Sequence, residues 1–458
     1  IEIKIRELHS KIFLASKLLN ETNFDIVIGE KNKIYNLFKN NDNVYLLSKG
    51  GPRPGFKFEK KKFKNNYIGI LDEEGPILNL DVNEKKTRLH THILNNIDDY
   101  FLWGKKDLNS NNHIFKKHTK KIFIFGHPKF DILKKNHLNF YKNEIKKLKK
   151  KYNNFIFVPS SFPVDQVMKK KLFNKFRFHN FEMGKKKDSI RVDYQDYLEK
   201  EKNNYLSLIK LCKKFAIDNP KTQIIFRPHP RQDIELVKKR FGLKIRNIKI
   251  IYHGVITPWI AACELFIHSG CTSSLEAATL EKKIIYFVKE NHTKKAKMFK
   301  NFGYFFNCEN KCLNFLNRKL TNTRFNLNKA KLPTQIIQNS KKNFLFYKLY
   351  ISYMKKKYEN KLKPIKVSYN NDKYFFSQLI SNLKMLIKYV LLKVPFFVEI
   401  MFFFNPSNLL TAEYKKKKFP HLNYKEIKDY IYRSLQTNKK IKIKKLSNDL
   451  FLIRNIKN

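Results

Sequence analysis

The chain has 458 residues, 42% of them hydrophobic, so it is long and apolar enough for two to four domains with cores of their own. Lys+Arg 95 against Asp+Glu 39 gives a formal charge of +56, which reads either as a match for a polyanionic partner or as drift in a composition where Lys, Asn, Ile, Phe and Tyr rise together. The lysines lie in every segment with no recognition motif, which argues against a specific nucleic-acid binder. The five cysteines, Cys212, Cys263, Cys271, Cys308 and Cys312, are odd in number and lack paired metal spacing, which fits a reducing cytoplasm.

Ile1–Ile5 alternates apolar and charged residues, and a first residue of Ile rather than Met leaves targeting unread. Arg6–Leu19 has the apolar spacing of a helix. Asp25–Gly29, Asn43–Leu47 and Tyr67–Leu71 are short apolar runs that read as strands, and the last runs into Asp72-Glu73-Glu74-Gly75-Pro76. Three acids at a strand end are either a solvated turn or a catalytic carboxylate cluster. Asp99–Gly104 and Lys121–Gly126 are further strands, the second continuing into His127-Pro128-Lys129. Strands alternating with helical stretches predict parallel β-α-β units.

Residues 1–150 are therefore expected to form a first α/β domain, closed by the basic helical run Lys142–Lys151. Asn154–Pro159 opens a second, spanning 151–335. It continues through a loop over Lys169–Asp188, a helix with Leu208, Leu211, Cys212 and Phe215 on one face, and the strand of Ile224–Pro230, IIFRPHP. Ile248–Tyr252, a short helix at Pro258–Ala262, Glu264–Ser269 and Lys283–Val288 follow. No G-x-G-x-x-G and no Walker A motif is present.

The tail, 336–458, is basic and aromatic and expected to be helical. Within it Leu383–Phe404 is nearly apolar, but Lys384, Lys388, Lys393 and Glu399 interrupt it. Central charges cost ~2.5–3.5 kcal/mol each in a spanning helix of ~20 residues. The stretch is read instead as an amphipathic segment on an anionic membrane surface, or as a helix packed across both domains.

Two strand ends carry the chemistry. Arg227 offers a permanent, forked cation. His229, fixed between prolines that include Pro230, offers a group that donates near neutral pH. Ser269, Gly270, Thr272, Ser273 and Ser274, after His268, precede a helix start and offer hydroxyls and backbone N–H groups to an anion. The bland alternative is an ordinary helix cap by Ser273 or Thr272. Glu276, in the first turn, is placed to accept from ribose hydroxyls. The carboxyl ends of parallel strands open into ligand crevices, so both units read as walls of one phosphate or nucleotide site.

The ordered set I-E-I-K-I-R-E-L (Ile1–Leu8), L-D-E-E-G (Leu71–Gly75), F-G-H-P-K-F-D (Phe125–Asp131), F-R-P-H-P (Phe226–Pro230) and H-S-G-C-T-S-S-L-E-A (His268–Ala277) resembles surface carbohydrate biosynthesis proteins related to bacterial capsule Kdo transferases and sialyltransferases. The likeness spans roughly residues 1–300. It implies two Rossmann-like domains facing across a cleft (GT-B), with the basic C-terminal helical tail added. It also implies a glycosyltransferase using a nucleotide-sugar donor, most readily a CMP-activated acidic sugar, and a glycan or glycolipid acceptor. By position, Glu73 or Glu74 would deprotonate the acceptor, with Asp72 an additional acid. His229 would protonate the donor phosphate, and Ser273 and Ser274 would hold it. Such a donor needs neither a cofactor nor a divalent metal, and no D-x-D motif stands out. A polyol-phosphate (CDP-glycerol type) transferase of the same fold is the alternative. The expected location is cytoplasmic, at or near the inner face of a membrane.

Overall fold

A computed structural model describes residues 1–49, 65–73, 91–162, 187–230, 232–242, 245–290, 299–300, 303–320, 328, 334–340, 343–366, 383, 419–435 and 440–456. The α/β class expected from the sequence is the one observed. In the N-terminal half, β2 (Tyr45–Ser48), β3 (Tyr67–Leu71), β4 (Asp99–Leu102) and β5 (Ile122–Ile124) form a four-stranded sheet in that order, every pairing parallel. Helices cover such a sheet on both faces, which is why β3 and β4 read as unbroken apolar runs rather than alternating ones.

The second sheet has six parallel strands. β6 (Phe155–Pro159), β7 (Gln223–Arg227), β8 (Ile248–Ile250), β9 (Leu265–His268), β10 (Lys283–Phe287) and β11 (Tyr304–Phe306) lie in the order β11-β10-β9-β6-β7-β8. The chain starts in the middle with β6, winds outward through β7 and β8, then returns beside β6 and winds the other way. Strand order therefore reverses between β6 and β9, and a doubly wound sheet opens its ligand crevice at that point, outside the carboxyl ends. Every residue of β6 and β9 is buried.

The halves share an apolar seam. Trp103, Phe130 and Leu133 from the first pack in one buried cluster with Trp259, Leu275, Ala277 and Ala278 from the second.

β1 (Ile26–Gly29) looks like its neighbours in sequence but pairs elsewhere. It lies antiparallel to β13 (Leu450–Asn455), which pairs with β12 (Ile441–Ser447) in a third sheet. The helix Lys4–Glu21 carries two apolar faces. Leu8, Ile12, Ala15 and Leu19 pack on Ile427 and Ile431 of the helix Tyr424–Ser434, while Phe13 and Leu14 join Tyr347, Tyr350 and Met354 of the helix Phe346–Tyr358. Residues 336–458 thus supply helices, and also a β-hairpin, to the N-terminal half. Most of Leu383–Phe404 and of Lys169–Asp188 lies outside the described residues. No helix among the described residues is long and apolar enough to cross a membrane.

The turn after β5 joins these parts. Gly126 has a φ of 90°, and a Cβ there would stand 2.1 Å from Asn339 Oδ1, so both backbone and space demand glycine. His127 caps the helix Pro128–Ile132, its ring Nδ1 accepting from the Lys129 N–H at 3.1 Å, with Pro128 at the first helical position. Asp131 then caps a different helix. Its carboxylate accepts from the N–H groups of Phe346 (3.0 Å) and Tyr347 (2.9 Å) and from Asn339 Nδ2 (2.6 Å).

Burial pushes the Asp131 carboxyl up to about 7, against the pull of those three donors. Because the folded value exceeds the ordinary 3.8, its contribution to stability is fully present below that pH and is lost as pH rises through about 7. Asp131→Asn is expected to flatten the pH dependence of the unfolding free energy across this window, measured by urea titration. It should also lower stability by about 1–3 kcal/mol, because an amide NH2 would face one of the backbone donors.

Candidate functional site

The N-terminal wall is built where β3 and β5 end. Trp103 Nε1 donates to the Asp72 carbonyl at 2.6 Å and fixes the turn after β3. Glu73, 5% exposed, then points into a charged cluster. Lys11 Nζ stands 2.8 Å from its Oε1, and His127 Nε2 stands 3.2 Å from its Oε2. The Lys11 contact is an ion pair and the His127 contact a close polar one, and both lie off good hydrogen-bond geometry. The His127 ring spends its Nδ1 lone pair on the Lys129 N–H, so the neutral ring carries its proton on Nε2, toward Glu73.

Burial raises the Glu73 carboxyl, but Lys11 and His127 outweigh it and hold the group well below the usual carboxylate range. Burial lowers His127, against the pull of Glu73. The pair is therefore a carboxylate beside a neutral imidazole with no lone pair to give. Of the two, Glu73 is the proton acceptor. Asp72 is buried. Glu74 lies outside the described residues.

The C-terminal wall follows the switch point. Ser161, just after β6, donates from Oγ to the Ser269 carbonyl at 2.9 Å, tying the ends of β6 and β9 together. Ser269 Oγ donates to Phe287 O at 2.6 Å. The Gly270 N–H donates to His268 Nδ1 at 3.2 Å. Burial pushes His268 down to about 3, so its ring is neutral, stacked on Tyr286 with centroids 5.1 Å apart.

Ser274 Oγ donates to Cys271 O at 2.7 Å, while Ser273 Oγ meets Cys271 Sγ at 2.8 Å. Ser273 makes no side-chain cap to the helix Ser274–Thr279. Thr272 is exposed on the rim. Glu276 is 2% exposed; its Oε2 accepts from Thr257 Oγ1 at 2.6 Å, and its Oε1 lies 2.6 Å from Lys129 Nζ.

Arg227 is placed differently from a phosphate fork. It is 6% exposed, donates through Nη1 to His253 O (2.8 Å) and through Nη2 to Gly254 O (2.5 Å), and stacks over Tyr252. Burial lowers it to about 10, still charged at neutral pH. Its role here is to hold the segment that leads to Thr257. His229 is half-buried on the same edge of the sheet, its N–H donating to Gln232 Oε1 at 2.7 Å, with Pro230 beside it.

The two walls meet. Lys129, two residues from His127, reaches Glu276, and on the N-terminal side Tyr141 hydrogen-bonds His9 Nδ1 at 3.0 Å. The sequence motifs point to Asp72–Glu74 and to the two strand ends at Arg227 and Ser269, and assign no role to Lys11, His127, Lys129, Ser160 or Ser161. The signal was available for most of them. Gly-His-Pro-Lys after β5 and Pro-Ser-Ser after β6 are polar breaks at strand ends, of the same kind as Arg-Pro-His-Pro. No group of His, Cys, Asp and Glu suited to hold a metal ion occurs among the described residues.

No protein-family model matches the chain, and no curated protein matches its sequence. Among solved structures it is similar to a UDP-GlcNAc 2-epimerase from Neisseria meningitidis bound to UDP-GlcNAc, at 14% identity over 63% of this chain and 70% of that one, with a TM-score of 0.38. It is similar also to MnaA of S. aureus in a structure with UDP, at 11% identity over 81% and 84%, TM-score 0.43. A third is the wall teichoic acid polymerase TagF, at 11% identity over 75% and 73%, TM-score 0.37.

Proposed function

We propose that this chain is a glycosyltransferase of surface-polysaccharide assembly that moves an acidic sugar from a CMP-activated donor to a glycan or glycolipid acceptor. The observation that carries the reading is that the Ser-rich turn at the β6/β9 switch point is joined, through Lys129 on Glu276, to the segment whose His127 stands against the Glu73 carboxylate. The nucleotide would lie in the switch-point crevice, with Ser273, Ser274, Thr272 and the Gly270 backbone around its phosphate and Arg227 and His268 shaping the floor.

Glu73 would take the proton of the acceptor hydroxyl, with Glu74 the nearby alternative. The acceptor oxygen bonds to the anomeric carbon as the bond from that carbon to the phosphate oxygen breaks. CMP leaves, and His229 donates to the departing phosphate. A donor with one phosphate asks for cations rather than a bound metal, and Lys11 and Lys129 stand at the meeting of the walls. A lipid-linked acceptor would bring the protein to an anionic membrane surface, where the exposed Lys142, Lys146, Lys147, Lys149 and Lys150 of the helix Lys142–Tyr152 offer complementary charge.

Thermal unfolding with CMP-Kdo, CMP-sialic acid, UDP-sugars and CDP-glycerol tests the donor. A CMP-sugar at about 100 times its Kd is expected to add about 2.7 kcal/mol. Stabilisation by CDP-glycerol alone would replace this reading with a polyol-phosphate transferase. A salt-sensitive nucleic-acid shift without any nucleotide-sugar response would end both.

A further inference from the structure

Lys129 and Glu276 come from different halves of the chain and hold each other at 2.6 Å. Lys129 follows β5 in the N-terminal sheet, and its backbone is fixed on the His127 ring. Glu276 sits in the short helix after β9, with its other oxygen on Thr257. The pair lies beside the Ser-rich turn, since Glu276 is two residues from Ser274, whose Oγ is bonded to the Cys271 carbonyl. The two partners differ in freedom: the Glu276 side chain is 3% exposed and the Lys129 side chain 20%. The ammonium end of a four-carbon stem can therefore turn while the carboxylate stays put.

We propose that Lys129 is a donor-binding residue supplied by the N-terminal half, and that Glu276 is its place-holder until an anionic ligand arrives. This rests on the transferase reading above for the identity of the ligand. On binding, the ammonium exchanges the Glu276 carboxylate for a phosphate or carboxylate of the donor. Glu276 keeps the Thr257 hydroxyl and takes a hydroxyl of the ligand in place of Lys129. Neither buried charge is left without a partner, which is the condition for separating such a pair. A ligand therefore has to bring both an anion and a hydroxyl, as a nucleoside monophosphate does. Inorganic phosphate brings the first alone and must compete with Glu276. Because the two groups come from different halves of the chain, the exchange couples donor binding to the contact between the halves.

Calorimetric titrations of CMP, cytidine and inorganic phosphate against wild type, Lys129→Met, Glu276→Gln and the double variant test the exchange. Removing both charges avoids a lone buried ion, so the double variant reports on function even if a single variant folds poorly. Lys129→Met is expected to bind CMP about tenfold or more weakly, the size of one charge-assisted hydrogen bond, while cytidine binds no more weakly than to wild type because Glu276 is free for its hydroxyl. Glu276→Gln frees the ammonium and is expected to bind phosphate about tenfold more tightly than wild type, a gain that the double variant loses. Phosphate affinity unchanged in Glu276→Gln, with only the thermal midpoints lowered, would make the pair a structural tie and overturn the proposal. Absence of CMP binding in the wild type would instead count against the transferase reading, and the phosphate comparison would still decide the exchange.

Discussion

Glu73→Gln is expected to lower turnover by about 10²–10⁴-fold, the usual contribution of a positioned general base, while leaving donor binding intact. The same substitution should lower stability by about 3–5 kcal/mol, because it strips a buried partner from Lys11. The two effects separate in one further variant. Adding Lys11→Met removes the stranded ammonium and should restore most of the stability but none of the turnover. Ionisation at Glu73 is secured by Lys11 and the His127 N–H, which also make it a weak base, so in this site proton transfer would wait until the acceptor's bond to the anomeric carbon is well advanced.

The pH dependence carries a sign. The folded carboxyl titrates below its ordinary value near 4.5, so its stabilisation is present above that pH and fades as pH falls toward the depressed value. Glu73→Gln should lose this acid limb, read by urea titration below pH 5. If the variant lost stability yet kept full turnover, Glu73 would be a structural anion and the base would have to be sought at Glu74.

What was legible in the sequence is what a short local pattern can carry. YIGIL, FIFVP and LFIH are buried on both faces of parallel sheets, so each reads as an apolar run ending in a polar break, and the structure has β3, β6 and β9 there. DIVIG has the same look, yet β1 pairs with β13. Nothing local distinguishes it, because the partner lies at the other end of the chain. β12 was hidden for a related reason: its burial alternates irregularly, with Lys442, Lys444 and Lys445 outward, and a lysine-rich tail reads as helix.

The site divides the same way. That a cation stands at the end of β7 is visible in the sequence. That its fork is spent on the carbonyls of His253 and Gly254 is not, since those groups come from the next connection. The switch point depends on strand order, which no single motif encodes, and so Ser160 and Ser161 gained meaning only once β6 stood beside β9.

The helix Phe346–Tyr358 is expected to come loose from the N-terminal sheet when Asp99 is replaced by Ala, at a loss of about 3–5 kcal/mol. Asp99 opens β4 and is fully buried. Tyr45 and Tyr358 donate to its Oδ2 at 2.8 and 2.7 Å, Lys357 lies 2.6 Å from Oδ1, and the Tyr353 hydroxyl donates to the same oxygen. Burial, then the carboxylate next to them, raises the Tyr353 and Tyr358 phenols, so both remain proton donors at any physiological pH.

Gly69, paired with Asp99 in register, makes room for the cluster: a Cβ there would stand 1.8 Å from the Tyr45 hydroxyl. Alanine at 99 leaves those hydroxyls without their acceptor, each worth about 1–3 kcal/mol when stranded, though Lys357 can turn to water. Asn at 99 keeps one acceptor oxygen and should fall between. The same helix is capped at its other end by Asp131, four residues from His127. Loosening it therefore frees the segment that positions the Glu73 cluster, and Asp99→Ala should raise amide exchange first in 346–358 and then around His127. Loss of stability with exchange in 346–358 unchanged would show that Asp99 holds β4 alone and that the returning chain is anchored elsewhere.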